Sequence, residues 1–462
     1  MQPNNDDNNN KNNSNNPPTV LISTCLLIAV TVCSSAGTVF DELTTIKDVP
    51  PFLAAFWRLF LQNVVQFIPF IISLRKVWRE DEEQRVMKHW EQSKDGEDGK
   101  GGGGLALNLE MDDEHDYENE YDHEYYNKSL EMEQSNEHND ELILPKYIKS
   151  LPLLFVSGFA LGTHFSMWVY SLRYTSITHS LLWVSMGPIV LNFGSWAMYG
   201  IGKLLVLASC SITFFIVKKP TWLETLGTIV GMSGAVVMLL DTGSKDHDIH
   251  GNHNFNDGSH PPSIHGDIAA FTGAVAVCIY LIIGKKVRSW LPIWLYIFPV
   301  IGFASFTCLV FALLDNTDKS IWRGMTNISV FGLFSKEYFL YALYLGVGPG
   351  ILGHTMLSTL LKYISPLIVS TAMLSEPIMG SFIGYIFGMQ PMPQLYTWVG
   401  GGVLLVGLVL VVIGENESGQ KDGCNIEQQQ MSKQTGLRLD TKKNENYGAI
   451  IIDERDLIRN KK

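Results

Sequence analysis

The chain has 462 residues, 46% of them hydrophobic, and a net charge of −12 carried mostly by one internal acidic stretch. It lacks the basic patches that nucleic-acid binding needs. Its six cysteines, Cys25, Cys33, Cys210, Cys278, Cys308 and Cys424, fall mostly in apolar runs without disulfide or zinc spacing, so neither metal nor cofactor is expected.

Residues 1–18 are an Asn-rich tail, expected to be disordered. No basic n-region or cleavage site precedes Thr19–Phe40, which therefore reads as a retained membrane span rather than a signal peptide. A short acidic loop leads to a second span, Pro51–Leu74. Residues 75–149 pass through GKGGGG into EMDDEHDYENEYDHEYY and read as a long, solvated, disordered acidic loop. Spans three to five are predicted at Leu151–Tyr170, Ser176–Tyr199 and Trp222–Leu240. A His-rich loop (241–266), read as a flexible linker rather than a metal site, precedes five more spans. These are Asp267–Gly284, Leu291–Leu314, Tyr338–Leu361, Pro366–Met389 and Leu395–Ile413. Residues 414–462 are expected to form a polar, disordered cytosolic tail. Blocks of about 20 apolar residues match ~30 Å of hydrocarbon, so the expected class is an all-α integral membrane protein.

The chain contains one hairpin pattern twice. Pro188 follows Tyr174 by 14 residues, as Pro377 follows Tyr363. From Pro188 to Gly227 is 39 residues against 23 from Pro377 to Gly400, which places an insertion of 16 near 197–213. Reading that insert as an eleventh span puts Lys285, Lys286 and Arg288 on the wrong face. Ten spans with both termini cytosolic keep Arg75, Lys76, Arg79, Lys218, Lys219 and Lys362 inside as well. Five spans per half force the second copy (267–413) to enter upside down relative to the first (19–240), an inverted repeat with its site near the midplane.

Glu376 is the acid placed well inside an apolar run. An intramembrane charge costs at least a few kcal/mol, so proton coupling or substrate contact is weighed against a merely capped, structural carboxyl. Its repeat counterpart is Gly187. Arg58, in FWRLFLQN, either neutralises an anionic substrate, pairs with Glu376, or snorkels to the interface. His164 (LGTH) and His354 (LGHT) sit at similar places in the two halves, as cavity-lining imidazoles or helix-to-helix hydrogen bonds. Nearby glycines permit close helix contact and a broken helix at Pro349. Trp168, Tyr170 and Tyr174 are candidates for either the cavity or the interfacial belt. Asn327-Ile328-Ser329 is a glycosylation sequon in a predicted exterior loop. Neither a Walker motif nor a catalytic triad arrangement supports an enzyme.

With these motifs in place, FALGTHFSMWVYSLRYTSITHSLLWVSMGPIV resembles the third and fourth helices of EamA-type transporters of the drug/metabolite transporter superfamily. VPPFLAAFWRLFLQ resembles their second helix, and GPGILGHTMLSTLLKYISPLIVSTAMLSEPIMGSFIGYIFG their eighth and ninth. The resemblance covers nearly all of 19–413 and is specific at Arg58, Trp168, Ser171-Leu172, Tyr174, Gly353-His354-Thr355 and Glu376-Pro377. It implies ten helices in two inverted EamA repeats and secondary transport or exchange of small polar metabolites. The sequence departs from the family where Val217-Lys218-Lys219 and Gly388-Met389-Gln390 replace a Gly-Glu after helices four and nine.

The tail carries Tyr447 to Ile450 and Asp453 with Leu457-Ile458. These resemble tyrosine-based and acidic dileucine sorting signals, read by vesicle-coat adaptors, and point to the plasma membrane or an endosomal or vacuolar membrane. Expected partners are the lipid bilayer, a small-molecule substrate, such adaptors and a second copy of the chain. The competing class is a non-transporting scaffold or sensor acting through the acidic loop and tail.

Overall fold

The computed structural model describes residues 18–97, 142–175, 177–207, 220–239, 263–315, 319–376, 378, 379, 382 and 395–435. Among these, every regular element is helical. In the first half, α1 (Thr19–Asp41) runs through a π-helical turn (Glu42–Ile46) into α2 (Pro51–Glu97). Next come α3 (Ile143–Tyr174), α4 (Ile177–Val184), α5 (Gly187–Leu207) and α6 (Trp222–Leu239). In the second half, α7 (Ile264–Arg288) and α8 (Ile293–Asp315) are followed by two 3₁₀ turns, Lys319–Trp322 and Val330–Phe334. Then α9 (Phe339–Leu345), a π-helical stretch (Gly346–Thr355) and α10 (Met356–Leu360) form one continuous pass, before α11 (Pro366–Met373) and α12 (Leu395–Thr435).

Seven helices among the described residues are long and apolar enough to cross a membrane, and Trp222–Met238 is a shorter apolar one. Helices satisfy their own backbone groups, which is what a hydrocarbon solvent demands. The chain is thus an all-α integral, multi-pass membrane protein.

Helix directions follow from contacts at the two ends of the bundle. At one end, Arg173 reaches Asp48 (3.4 Å), Lys47 reaches Glu337 (3.0 Å), and the Asn327 amide donates to the Asp48 carbonyl (3.1 Å). At the other, Lys285 donates to the carbonyl of Ile364 (3.1 Å), Arg288 to that of Ser358 (3.2 Å), and Ser365 bonds Glu415. α3 therefore runs from the second end to the first, whereas α9 to α10 runs back.

α6 and α12 also lie antiparallel, and they pack glycine on glycine. A Cβ at Gly227 would stand 2.7 Å from the Gly407 carbonyl oxygen, and one at Gly234 would stand 2.5 Å from that of Gly400. Without a hydrophobic driving force between helices in lipid, such close backbone approach supplies the attraction by van der Waals contact.

Three expectations are corrected. The segment 75–149 is not loop throughout, since α2 continues through Glu97 and α3 begins at Ile143. Residues 75–97 are rich in good helix formers and include a Lys76–Glu80 pair (3.8 Å) one turn apart. Asp81, 2% exposed, accepts from the backbone N–H of Ile143 (3.1 Å) and Leu144 (2.6 Å). It thus caps a helix whose own N-cap residue, Leu142, has no side-chain acceptor. Likewise, the polar tail from 414 starts as helix, because α12 extends to Thr435. Finally, the helix does not break at Pro349. It widens over Gly346–Thr355, which accommodates the missing proline N–H.

Of the insertion near 197–213, residues 197–207 continue α5. Residues 208–213, the tail 1–17, the acidic core 98–141 and the His-rich 241–262 lie outside the described residues. So do Tyr447, Ile450, Asp453, Leu457 and Ile458.

Candidate functional site

Two interrupted helices face each other at the centre. Between α4 and α5 the helix is broken by a turn at Ser185–Met186, and α11 gives way to a turn at Leu374–Ser375, with Glu376 just beyond. With Pro188 set on Pro377, these turns fall at equivalent positions. Each lies just before a proline, whose missing N–H leaves the carbonyl four residues back (Val184 and Met373) without its helical donor.

The breaks open a cavity of about 70 Å³. Cys33 and Ala36 of α1, Arg58 of α2, and His164, Phe165 and Trp168 of α3 line one side. Ser185, Gly187 and Pro188 come from the first broken helix, and Ser370, Met373 and Glu376 from the second. Val277 and Leu281 of α7, with His354 of the π-helical stretch, close the wall. The sequence-predicted residues Arg58, His164, His354, Trp168 and Glu376 thus converge on one space, drawn from both halves of the chain. Tyr174 does not. It is 43% exposed and stacks on Tyr170 (4.3 Å between centroids) at the end of α3, the interfacial place weighed for it.

Arg58 dominates the site. It is 1% exposed, and none of its three guanidinium nitrogens has a hydrogen-bond partner among the described residues. Its guanidinium carbon lies 4.1 Å from the Phe165 ring centroid and 5.8 Å from that of Phe40. Cation–π contact returns about 0.5–2 kcal/mol, whereas an uncompensated charge at this depth costs at least ~2.5–3.5 kcal/mol. The balance is unfavourable unless an anion completes it. Glu376 lines the same cavity, yet no ion pair joins the two among the described residues.

His164 is oriented by α7, its Nδ1 lying 2.9 Å from the Gly273 carbonyl oxygen. That places the proton on Nδ1 and leaves Nε2 as an acceptor. α7 packs tightly here, a Cβ at Gly273 meeting the His164 carbonyl oxygen at 3.3 Å. Phe165 is the hub, edge-on to His164 and to His354, each at 5.0 Å. The Trp168 indole N–H is buried without an acceptor among the described residues, a second unmet donor in the wall.

α2 is held against the π-helical stretch by amides. Gln62, 0% exposed, donates to the Gly350 carbonyl (3.0 Å), and Gln66, also 0% exposed, donates to the Thr355 hydroxyl (2.7 Å). These bonds set Arg58 and His354 in register. Sequence reading passed over Gln62, Gln66, Phe165 and Cys33. The two glutamines, one turn apart in an apolar helix, carried the signal that could have found the first pair.

Asn327 sits in the α8–α9 connection, 3.1 Å from the Asp48 carbonyl and far from the cavity. Among the described residues, no cluster of three His, Cys, Asp or Glu is placed to hold a metal.

An interior charged cavity within a helical membrane protein defines the class, and the family comparison agrees with it. Residues 264–413 match the family described as EamA-like transporters, so the resemblance seen in the sequence holds over the second half of the chain. No curated protein matches. One solved structure, titled only "Crystal structure of protein", is 13% identical, with a TM-score of 0.49, and the match covers 86% of this chain and 98% of that one. That likeness is too loose to carry a conclusion.

Proposed function

We propose that the chain is a secondary transporter that moves small polar metabolites across a membrane by alternating access. The observation that carries the reading is the central cavity at the meeting of both halves, with Glu376 in its wall and an Arg58 guanidinium that has no hydrogen-bond partner among the described residues. A scaffold acting through its loops has no use for a buried cation costing several kcal/mol.

The ten-span reading counts the two interrupted passes and the short α6 as membrane crossings. The opposed directions of α3 and α9 to α10, and the reciprocal glycine contacts of α6 and α12, favour two copies of one five-helix unit inserted in opposite senses. Rocking of one unit against the other then exposes the cavity to each side in turn. The charge distribution favours cytosolic termini, with the Asp48–Arg173 end facing outward.

The full chain, reconstituted in liposomes, is expected to take up or exchange at least one member of a polar-metabolite panel. Arg58→Gln is expected to abolish that flux. Absence of flux for every member, with the protein shown to be folded, overturns the reading.

A further inference from the structure

The transport reading leaves the cargo and the driving ion open, and the cavity's inventory narrows both. Among the described residues its unmet groups are donors: the three nitrogens of Arg58, nine-tenths buried and more, and the indole N–H of Trp168. A planar guanidinium presents paired N–H groups that match a carboxylate bidentately. Most of the remaining wall is apolar, from Ala36, Val184, Phe165, Val277, Leu281 and Met373. Apart from those donors and the titratable groups, the hydroxyls of Ser185 and Ser370 are what the wall offers a polyol. A sugar or nucleotide would strand its hydroxyls here, each at a cost of about 1–3 kcal/mol. A cavity of about 70 Å³ has room for roughly five waters. What fits is a small apolar body with one anionic head.

Charge conservation sets the second half of the argument. The titratable groups facing Glu376 across the cavity are Cys33 on α1, Arg58 on α2, His164 on α3 and His354 on the π-helical stretch. Arg58 is the fixed cation among them, and Glu376 balances it at a distance when the cavity is empty. An incoming carboxylate takes over that role and leaves two anions beside one cation. In a low-dielectric interior that arrangement is strongly unfavourable. A proton from solvent, added to the Glu376 carboxylate to form the neutral acid, restores the balance without breaking any bond in the ligand.

We infer that the cavity binds one small organic monocarboxylate on Arg58 together with one proton on Glu376. The inference rests on the transport reading for its purpose, and its test is made on binding so that the two can fail separately. The full chain in lipid nanodiscs, in weakly buffered solution with a pH indicator, is titrated with pyruvate, benzoate, inorganic phosphate, glycine and choline. Thermal stabilisation reports binding and the indicator reports protons. Pyruvate or benzoate is expected to stabilise the protein and to draw about one proton per site.

Glu376→Gln is expected to bind the same carboxylate with no proton uptake. Arg58→Gln, checked for folding by size-exclusion chromatography, is expected to bind at least about tenfold more weakly, the worth of a charged hydrogen bond. Arg58→Lys is expected to recover part of the loss.

Carboxylate binding without proton uptake overturns the coupling. Glycine binding in preference, with no proton taken up, assigns the Arg58 and Glu376 charges to a zwitterion and overturns it too. Phosphate or choline binding alone overturns the ligand class. Carboxylate binding without any flux in liposomes removes the transport reading and leaves this site standing; flux of other metabolites with no carboxylate binding does the reverse.

Discussion

The guanidinium of Arg58 rests 4.1 Å above the ring of Phe165, and that ring is at the same time the common neighbour of His164 and His354. One apolar side chain therefore sets the relative positions of three basic groups contributed by α2, α3 and the π-helical stretch. Moving Phe165 moves all of them.

Phe165→Leu keeps the site apolar while removing the π face. The expected loss is about 1–3 kcal/mol of stability, part cavity and part cation–π. In an Arg58→Leu background the same change should cost less, because only the packing part remains. Thermal unfolding of the four proteins of that cycle is the check, and equal costs in both backgrounds remove the cation–π contribution.

The α6–α12 contact predicts a sharp asymmetry among glycines. Gly234→Val has no space, since even a Cβ would meet the Gly400 carbonyl oxygen at 2.5 Å, and overpacking of this kind costs about 1–3 kcal/mol or more. Gly402, on the same α12, has nothing within 4 Å of its added Cβ. Gly402→Ala should be neutral or stabilising by up to ~1 kcal/mol through helix propensity. Monodispersity on heating in detergent separates the two.

Asp81→Ala removes the acceptor that satisfies two free N–H groups at the start of α3. A lost cap of this kind costs about 0.5–2 kcal/mol. Asp81→Asn, which can still accept, should recover most of it. Faster amide hydrogen exchange at Ile143 and Leu144 in the alanine variant alone would place the effect at the cap.

At the opposite end, the hydrogen bond to Glu337 is the main cause that holds the Lys47 ammonium above its ordinary value of 10.5. A raised lysine contributes its stabilisation fully below that ordinary value, and loses it as pH climbs through the higher folded value. The contact should therefore be intact across the neutral range and released only in strong alkali. Glu337→Gln should free the amine and speed acetylation of Lys47 at about pH 9, read by mass spectrometry. Unchanged Lys47 reactivity rules the contact out in solution.

Asn327 tests the orientation of the bundle. With the Asp48–Arg173 end facing the lumen or exterior, the sequon should carry a glycan in a eukaryotic host. Glycosidase treatment should shift the band of the wild type and leave Asn327→Gln unaffected. A glycan on a sequon engineered beyond Thr435, with none at Asn327, would invert the topology.

How much of this was visible in the sequence depends on contrast. Arg58, His164 and Glu376 stand out because polar groups are rare in apolar runs; the repeated Tyr-to-Pro spacing marked the repeat but not the turns at Ser185–Met186 and Leu374–Ser375, which interrupt spans expected to be continuous. Phe165, Val277 and Leu281 could not be singled out, since an apolar residue facing a cavity reads like one facing lipid. Tyr174 was drawn toward the site by its motif, yet a helix-end aromatic gains as much from stacking on Tyr170 at the interface. Residues 75–97 looked like linker because a charged helix surface has no hydropathy signature, and what orders its root is a long-range cap from Asp81 that only the fold brings within reach.

α2 is 47 residues long, which at the rise of an α-helix is about 70 Å, more than twice the ~30 Å of the hydrocarbon it crosses. Some 35 Å of rod beyond Leu74 therefore projects into water, rooted against α3. The same rod gives an otherwise micelle-shrouded particle an off-axis landmark, by which single-particle images can be aligned without an added antibody fragment.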